Sequence, residues 1–268
     1  MTGADTGRPA QAVAAATAVL VRDGPAGLEV LMVVRHHEID FARGAAVFPG
    51  GKAAAADRDD RLRERCAAVA LDDLQRSLRI AAVRETFEES ALLLARRRGE
   101  LLGAEDGAAL WRGWHARVLA SAEAFVEMVC EEELELALDL LVPFAHWVTP
   151  ETSPKRFDTH FFIAQAPAGQ VAVHDGREAV DAFWVRPADA MAECEQRRRV
   201  IIFPTLCNLA LLAQSADVSA ALAGARARTV QRIQPTLVRR ADGKIVPALP
   251  ADCAYPTLSP ALMDQVAR

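Results

Sequence analysis

Long apolar runs are missing from this chain of 268 residues. A helix needs about 18 or more consecutive apolar residues to cross a bilayer, and no segment reaches that length. Residues 1–11 also lack the basic stretch and following apolar stretch of a secretory signal. We therefore expect no membrane partner and a cytoplasmic location.

Cysteine is scarce and irregularly spaced. Five cysteines are widely separated, and none forms a C-x-x-C pair. An odd number with this spacing argues against a disulfide framework and against a cysteine zinc site. We expect free thiols in a reducing compartment, which agrees with the cytoplasm.

Several common catalytic patterns are also absent. The chain has no G-x-S-x-G, no P-loop and no H-E-x-x-H, which excludes the site types that those motifs build. The six histidines show no metal-ligand spacing, so we interpret them as surface or polar core residues; His37 alone is kept as a candidate base. With a net charge of −5 and scattered basic residues, we expect no nucleic-acid partner.

The order of the predicted elements indicates an α/β or α+β domain. Apolar, β-branched segments at 13–21 and 28–34, separated by a Gly- and Pro-containing turn, predict a β-hairpin. Further strands are predicted at 46–48, 144–148, 159–164 and 179–185. Helices are predicted at 58–76, 78–97, 105–141, 187–198, 204–214 and 217–228. We divide the chain into a disordered lead (1–11), a domain (12–200) with insertions near 58–76 and 100–141, and a C-terminal segment of helices and extended tail (201–268).

Three glutamates in the predicted helix 78–97 could form a metal site. Glu85, Glu88 and Glu89 share one helical face. Carboxylates held together repel one another unless a cation lies among them, and oxygen-only ligands suit Mg²⁺ or Mn²⁺. The same residues fit an exposed acidic face on which Arg84 pairs with Glu88. Taken alone, the segment favours the exposed face.

The glycines upstream reverse that preference. Gly51, five residues and Asp57 precede Arg84-Glu85-Thr86-Phe87-Glu88-Glu89. This order resembles the signature of the Nudix hydrolase family, G-x5-E-x7-R-E-apolar-x-E-E-x-G-apolar. The chain departs from it in having Asp57 for a glutamate, Thr86 for an apolar residue and Ala91 for a glycine. Residues 58–83 also replace a seven-residue spacer, which makes the interval 19 residues longer.

The likeness continues beyond the signature. Trp147-Val148-Thr149-Pro150 and Pro154-Lys155-Arg156-Phe157-Asp158-Thr159, with an insertion inside the box, resemble the Nudix branch that contains peroxisomal coenzyme A diphosphatases. The resemblance implies a Nudix-type α/β/α sandwich with a mixed sheet, helical insertions and a C-terminal helical extension.

The resemblance also implies hydrolysis of a nucleoside diphosphate linked to another group, with Mg²⁺ or Mn²⁺ as cofactor. Coenzyme A or acyl-CoA is the leading substrate, although the coenzyme A motif of other such diphosphatases is not evident in 35–47. ADP-ribose, NADH or a dinucleotide is the alternative, and a non-catalytic nucleotide sensor is the alternative from another class.

Residue roles follow from the match to the family's motif. The implied catalytic set is Arg84, Glu85, Glu88, Glu89 and Glu178, with Glu178 as a ligand or general base. The implied metal ligands are Glu85, Glu88, Glu89 and the Gly50 carbonyl.

Three basic residues are candidates for binding phosphate. Arg35, Lys155 and Arg156 carry the charge that a phosphate needs, and ordinary surface charge is the alternative for each. The expected partner is a small-molecule nucleotide, and a homodimer is left open.

Overall fold

A mixed β-sheet with helices on both faces makes up most of the described structure. The computed structural model describes residues 10–36, 44–67 and 70–267. Its strands are β1 (Val13–Gly24), β2 (Gly27–Arg35), β3 (Ala45–Val47), β4 (Gly50–Lys52), β5 (Ala95–Arg97), β6 (Glu100–Leu101), β7 (Glu135–Leu136), β8 (Val142–Val148), β9 (Phe157–Gln165), β10 (Ala179–Val185), β11 (Val200–Ile201), β12 (Arg232–Ile233), β13 (Thr236–Arg239) and β14 (Ile245–Ala248). Its helices are α1 (Asp73–Ser90), α2 (Ala104–Val118), α3 (Ala122–Glu131), α4 (Pro187–Glu195), α5 (Phe203–Leu212), α6 (Val218–Ala227) and α7 (Pro260–Gln265).

The main sheet has nine strands, and β1 lies near its middle. The strand order is β11-β3-β2-β1-β9-β8-β12, with β4 paired to β1 and β10 paired to β2. β1 runs parallel to β9 and antiparallel to β2 and β4. The sheet is therefore mixed, as predicted, and β1 is hydrogen-bonded along both edges.

Alternate side chains of β1 enter two different cores. Ala16, Ala18 and Leu20 belong to a cluster formed with α1, α2 and α3. Val19 and Val21 belong to a second cluster, formed with α4, α5, α6 and α7. Successive strand side chains point to opposite faces of a sheet, so these clusters are the two helical layers. The predicted α/β/α sandwich is confirmed.

The predicted hairpin 13–34 is confirmed as β1 and β2, and the predicted strands at 46–48, 144–148, 159–164 and 179–185 correspond to β3, β8, β9 and β10. The later helices are also present, with α4 ending three residues before the predicted position 198.

The helix predicted at 78–97 begins and ends earlier than expected. Asp72 caps its N-terminus by accepting a hydrogen bond from the Gln75 backbone N–H, and the helix ends at Ser90. Ala91 follows in the left-handed region, with φ of 63°, and its N–H bonds to the Phe87 carbonyl. Helices commonly end at a left-handed residue. The sequence did not reveal this one, because glycine is the usual residue there.

The single helix predicted at 58–76 is wrong. The described residues of that region form two 3-10 turns, 55–58 and 60–65, before α1 begins. Asp57 accepts from the Ala54 backbone N–H, and Asp59 accepts from the Arg61 backbone N–H. Such local side-chain hydrogen bonds compete with an α-helix.

The helix predicted at 105–141 is interrupted. α2 and α3 are followed by β7 and a 3-10 turn at 138–140. Glu131, Glu133 and Glu135 are exposed, as predicted for this acidic run. Glu132 differs, because it accepts hydrogen bonds from the Trp114 indole and from Arg97.

The segment after residue 200 is packed against the second core through α5, α6 and α7, and β12 extends the sheet beside β8. The predicted lead 1–11 lies outside the described residues except for its last two positions. Among the described helices, none has both the length and the apolar composition required to cross a bilayer.

We predict that Ala91→Gly stabilises the protein by about 1 kcal/mol, because glycine adopts positive φ without the steric cost that alanine has there. Ala91 is buried but belongs to none of the apolar clusters, so losing its methyl group removes little packing. Urea denaturation measures the difference.

The matched control is Ala223→Gly, at an exposed position within α6, where the same change costs about 1 kcal/mol. Equal destabilisation by both substitutions would contradict the assignment of strain to Ala91.

Candidate functional site

Arg84 of α1 is the centre of a buried hydrogen-bond network. Its Nε and one terminal nitrogen bond to the two oxygens of Asp57, at 2.9 and 3.1 Å. That second nitrogen also bonds to the Lys52 carbonyl at 3.0 Å. The other terminal nitrogen bonds to Glu85 and Glu88, both at 2.9 Å. The five N–H groups of the guanidinium therefore match five hydrogen bonds.

Asp57 completes this network from the other half of the motif. It is 1% exposed, and one of its oxygens also accepts from the Ala54 backbone N–H at 2.7 Å. Both carboxylate oxygens are thus engaged by Arg84, and the aspartate fixes Arg84 against the 3-10 turn. This role was not predicted from the sequence, where only the spacing singled Asp57 out.

The glycine turn packs directly against the carboxylates of α1. Gly50 donates its backbone N–H to Glu89 at 3.0 Å. A Cβ built on Gly51 would lie 2.5 Å from the Glu85 carboxylate carbon, closer than any ordinary contact. Only glycine at position 51 lets Glu85 occupy this place.

Burial makes the three glutamates hard to ionise. It raises the pKa of Glu85 from 4.5 to about 7, with the charge of Glu88 adding to the shift. Burial also raises the pKa of Glu88. It raises the pKa of Glu89 well above 4.5, and the charge of Glu85 adds to that shift. A positive charge among the three would reverse these shifts.

Among the described residues, the side chains that contact this cluster carry less positive charge than its carboxylates carry negative charge when ionised. Arg84 contacts three carboxylates, and Arg35 lies 3.8 Å from a fourth, Glu89. When all four carboxylates are ionised, they exceed the two guanidiniums by two negative charges. The donors are all oxygen, so the residues present fit a hard divalent ion such as Mg²⁺ or Mn²⁺.

Pairing of β2 with β10 brings Arg35 and Glu178 to the carboxylate cluster. Ala179 is the register partner of Arg35, and Glu178 immediately precedes it. The Glu178 charge contributes to the raised pKa of Glu85, Glu88 and Glu89, which places it near all three. Arg35 Nε is buried and has no hydrogen-bond partner among the described residues.

The other predicted phosphate-binding residues lie at the start of β9. Arg156 donates to the backbone carbonyls of Thr149 and Ala10, at 3.1 and 2.8 Å, so these donors support local structure. Lys155 is exposed in the preceding turn. His37, the candidate base, lies outside the described residues.

A family model of the NUDT19 Nudix domain matches residues 62–212, more than half of the chain. The chain belongs to this Nudix family. The match begins after Gly51 and Asp57, so the contacts of those two residues with α1 support the first half of the Nudix box independently.

Curated relatives and one solved structure agree with this assignment. The chain is 28% identical over 195 residues to "Acyl-coenzyme A diphosphatase NUDT19" of Xenopus laevis, covering 66% of this chain and 50% of the relative. It is 28% identical over 192 residues to the human protein of the same name, covering 67% and 51%. The chain thus spans about half the length of these relatives. A NUDIX hydrolase from Alicyclobacillus acidocaldarius superposes with a TM-score of 0.71 at 27% identity, over 82% of this chain and 97% of that one.

Sequence reasoning missed how the region between β5 and β10 supports the Nudix helix. Trp111 of α2 packs edge-on against Phe87 at 5.4 Å and stacks on His115. Val173 N–H bonds to the Ser90 carbonyl. The last carbonyls of a helix have no partner within it, so these contacts fix the end that carries the glutamates. The only available signal was the four-residue spacing of Trp111 and His115.

We predict that Gly51→Ala lowers the affinity for Mn²⁺ by about 10- to 100-fold, because its methyl group would push Glu85 out of place. Isothermal titration calorimetry measures the affinity. Gly113→Ala, where the added Cβ would meet nothing within 4 Å, is the matched control and keeps it. Unchanged Mn²⁺ affinity in Gly51→Ala would contradict the assignment of Glu85 as a ligand.

We further predict that the chelator-treated protein loses stability as pH rises from 4.5 to about 7. Folding raises the pKa of Glu85 from 4.5 to about 7. The contribution of this residue to the free energy of unfolding is therefore fully present below pH 4.5 and is lost as the pH rises through the folded-state pKa. Denaturation at several pH values across this range measures how steeply the free energy of unfolding falls with pH. We expect a smaller dependence on pH in saturating Mg²⁺ and in the Glu85→Gln variant. The same dependence in these two samples and in the chelator-treated wild type would contradict the assignment of the effect to Glu85.

Proposed function

We propose that the chain hydrolyses a nucleoside diphosphate linked to another group, with Mg²⁺ or Mn²⁺ as cofactor. The observation that carries this proposal is the Arg84 network, which holds Glu85 and Glu88 beside Glu89 with negative charge in excess. Membership in a Nudix family and the names of the curated relatives support the same conclusion.

Glu85, Glu88, Glu89 and the Gly50 carbonyl would hold the divalent ion. A bound ion would neutralise substrate phosphates and lower the pKa of an attacking water. Arg84 keeps two of the ligands oriented through charge-assisted hydrogen bonds.

Two residues on the neighbouring strands complete the proposed site. Glu178 accepts a proton from water as general base or serves as a further ligand. Arg35, whose buried Nε–H has no partner in the part of the chain that the structure describes, donates to a phosphate oxygen. Lys155 and Arg156 remain candidates for phosphate binding from the start of β9.

For the substrate we propose coenzyme A or acyl-CoA, cut to a phosphopantetheine product and adenosine 3′,5′-bisphosphate. The support is the acyl-coenzyme A diphosphatase name of relatives that match two thirds of this chain. ADP-ribose, NADH or a dinucleotide is the alternative within the same chemistry.

The alternative from another class is a nucleotide sensor that does not cleave its ligand. Such modules usually lose carboxylates of the Nudix box, whereas Glu85, Glu88 and Glu89 are all present. Retention of the three carboxylates therefore favours the enzyme.

We propose that the enzyme acts in the cytoplasm on a small-molecule nucleotide, with no nucleic-acid partner. The five cysteines are free thiols, which agrees with a reducing compartment. A homodimer remains an alternative to the monomer.

We predict that Glu88→Gln lowers Mg²⁺-dependent hydrolysis by about 100-fold or more, because one metal ligand loses its charge. The exposed Glu131→Gln is the matched control and retains full activity. Release of adenosine 3′,5′-bisphosphate from acyl-CoA, followed chromatographically, measures the rate. Wild-type activity in Glu88→Gln would refute the site assignment.

A substrate panel separates the candidate functions. Coenzyme A, acyl-CoA, ADP-ribose, NADH and dinucleoside polyphosphates are each supplied with Mg²⁺ and with Mn²⁺. We expect the highest kcat/KM on the coenzyme A compounds. A higher kcat/KM on ADP-ribose or NADH would identify that compound as the substrate and leave the proposed pyrophosphate hydrolysis unchanged. Tight binding of one compound without turnover of any would favour the nucleotide sensor.

A further inference from the structure

Two histidines and an aspartate meet on β8 and β9. His146 is the register partner of His160 across the two strands, and Asp158 lies two residues before His160. His146 Nε2 lies 2.5 Å from Asp158 Oδ1, and His160 Nε2 lies 3.9 Å from the same oxygen. One ligand atom from each residue lies within 4.8 Å of the other two. We call these residues the His-Asp-His cluster.

The sheet holds the cluster in a fixed place. β9 pairs with β8 on one edge and with β1 on the other, so the backbone beneath His160 and Asp158 is constrained on both sides. The two imidazole rings stack, with centroids 3.9 Å apart and planes inclined by 23°. All three side chains are half-buried. This gives a partly enclosed group of ligand atoms with access to solvent.

The cluster is separate from the carboxylate cluster of α1. Ala16 of β1 pairs with His160 on one edge and with Gly51 on the other. One strand therefore lies between His160 and the glycine turn, and no described side chain is shared by the two clusters.

The donor set distinguishes the two clusters chemically. Two imidazoles and one carboxylate suit Zn²⁺, Co²⁺ and similar ions, whereas oxygen-only sites suit Mg²⁺.

The distances allow an ion with small side-chain movements. Zn²⁺ lies about 2.0–2.2 Å from nitrogen and oxygen ligands, so ligand atoms around it are about 3.3–3.5 Å apart. The distance from His146 Nε2 to Asp158 Oδ1, now 2.5 Å, would increase, and the distance from His160 Nε2 to the same oxygen, now 3.9 Å, would decrease. Both changes require the side chains to rotate, and the two stacked imidazoles to turn out of their stacking so that a lone pair of each points at the ion.

We propose that His146, Asp158 and His160 bind one first-row transition-metal ion of the Zn²⁺ class, with water at the remaining position. The ion would join β8 to β9 and stabilise the sheet. It is distinct from the divalent ion proposed at the Nudix box.

Cobalt binding tests the proposal on the full chain. Chelator-treated protein is kept in excess Mg²⁺, which occupies the carboxylate cluster, and is titrated with Co²⁺. We expect one Co²⁺ per chain, visible d–d absorption of a low-coordinate site, and its displacement by Zn²⁺. If no Co²⁺ stays bound in excess Mg²⁺, the proposal is overturned, whereas the assignment of the Nudix site is unaffected.

Variants assign the ion to the cluster. In His146→Gln and His160→Gln we expect Co²⁺ affinity to fall by about 100-fold, because even a partner of a metal ligand contributes 10- to 100-fold. His174→Gln, at an exposed histidine, and Glu88→Gln are the controls and keep full affinity. Unchanged affinity in the two cluster variants would overturn the assignment.

A measurement on the wild type covers the case in which a variant does not fold. X-ray absorption at the zinc edge counts the imidazoles bound to Zn²⁺ in the presence of Mg²⁺. Two imidazoles would support the proposal, and one or none would refute it.

Discussion

The Nudix site depends on the satisfaction of a single buried guanidinium. A buried charge is stable only when it is paired and hydrogen-bonded, and Arg84, 4% exposed, uses its donors on three carboxylates and one backbone carbonyl. These acceptors come from β4, from the 3-10 turn after it and from α1 itself. The same contacts that stabilise Arg84 therefore align the glycine turn with the carboxylate helix.

This network explains how the box tolerates a long spacer. Asp57 and Arg84 are separated by 26 residues, yet they meet through two hydrogen bonds. The extra chain is accommodated in 3-10 turns and in the first half of α1. Because closing a longer loop costs little extra free energy, one well-satisfied ion pair can hold the two halves together.

Strand and helix patterns in the sequence indicated an α/β or α+β domain, whereas the layers of the sandwich and the metal-binding role predicted for Glu85, Glu88 and Glu89 came from the resemblance to the Nudix signature. The sequence failed at the end of α1, where Ala91 takes a conformation that its side chain does not favour. It also gave no role to Asp57, which was singled out only by its spacing and which binds Arg84. His146 and His160 show no ligand spacing along the chain, since they are neighbours only through the register of β8 and β9.

The residues proposed for the chemistry and those proposed for substrate binding lie on different elements. α1 and β4 supply the carboxylates and their orientation, whereas Arg35 and Glu178 reach the same place from β2 and β10. Under the proposed function, a change at the β2–β10 edge would alter contacts to the substrate and leave the Arg84 network intact. Because function depends on the site rather than on the fold, proteins that share the Nudix box can differ in the molecule they cut. The proposed choice of pyrophosphate compound therefore depends on the β2–β10 edge and on the start of β9, where the candidate phosphate-binding residues Lys155 and Arg156 lie.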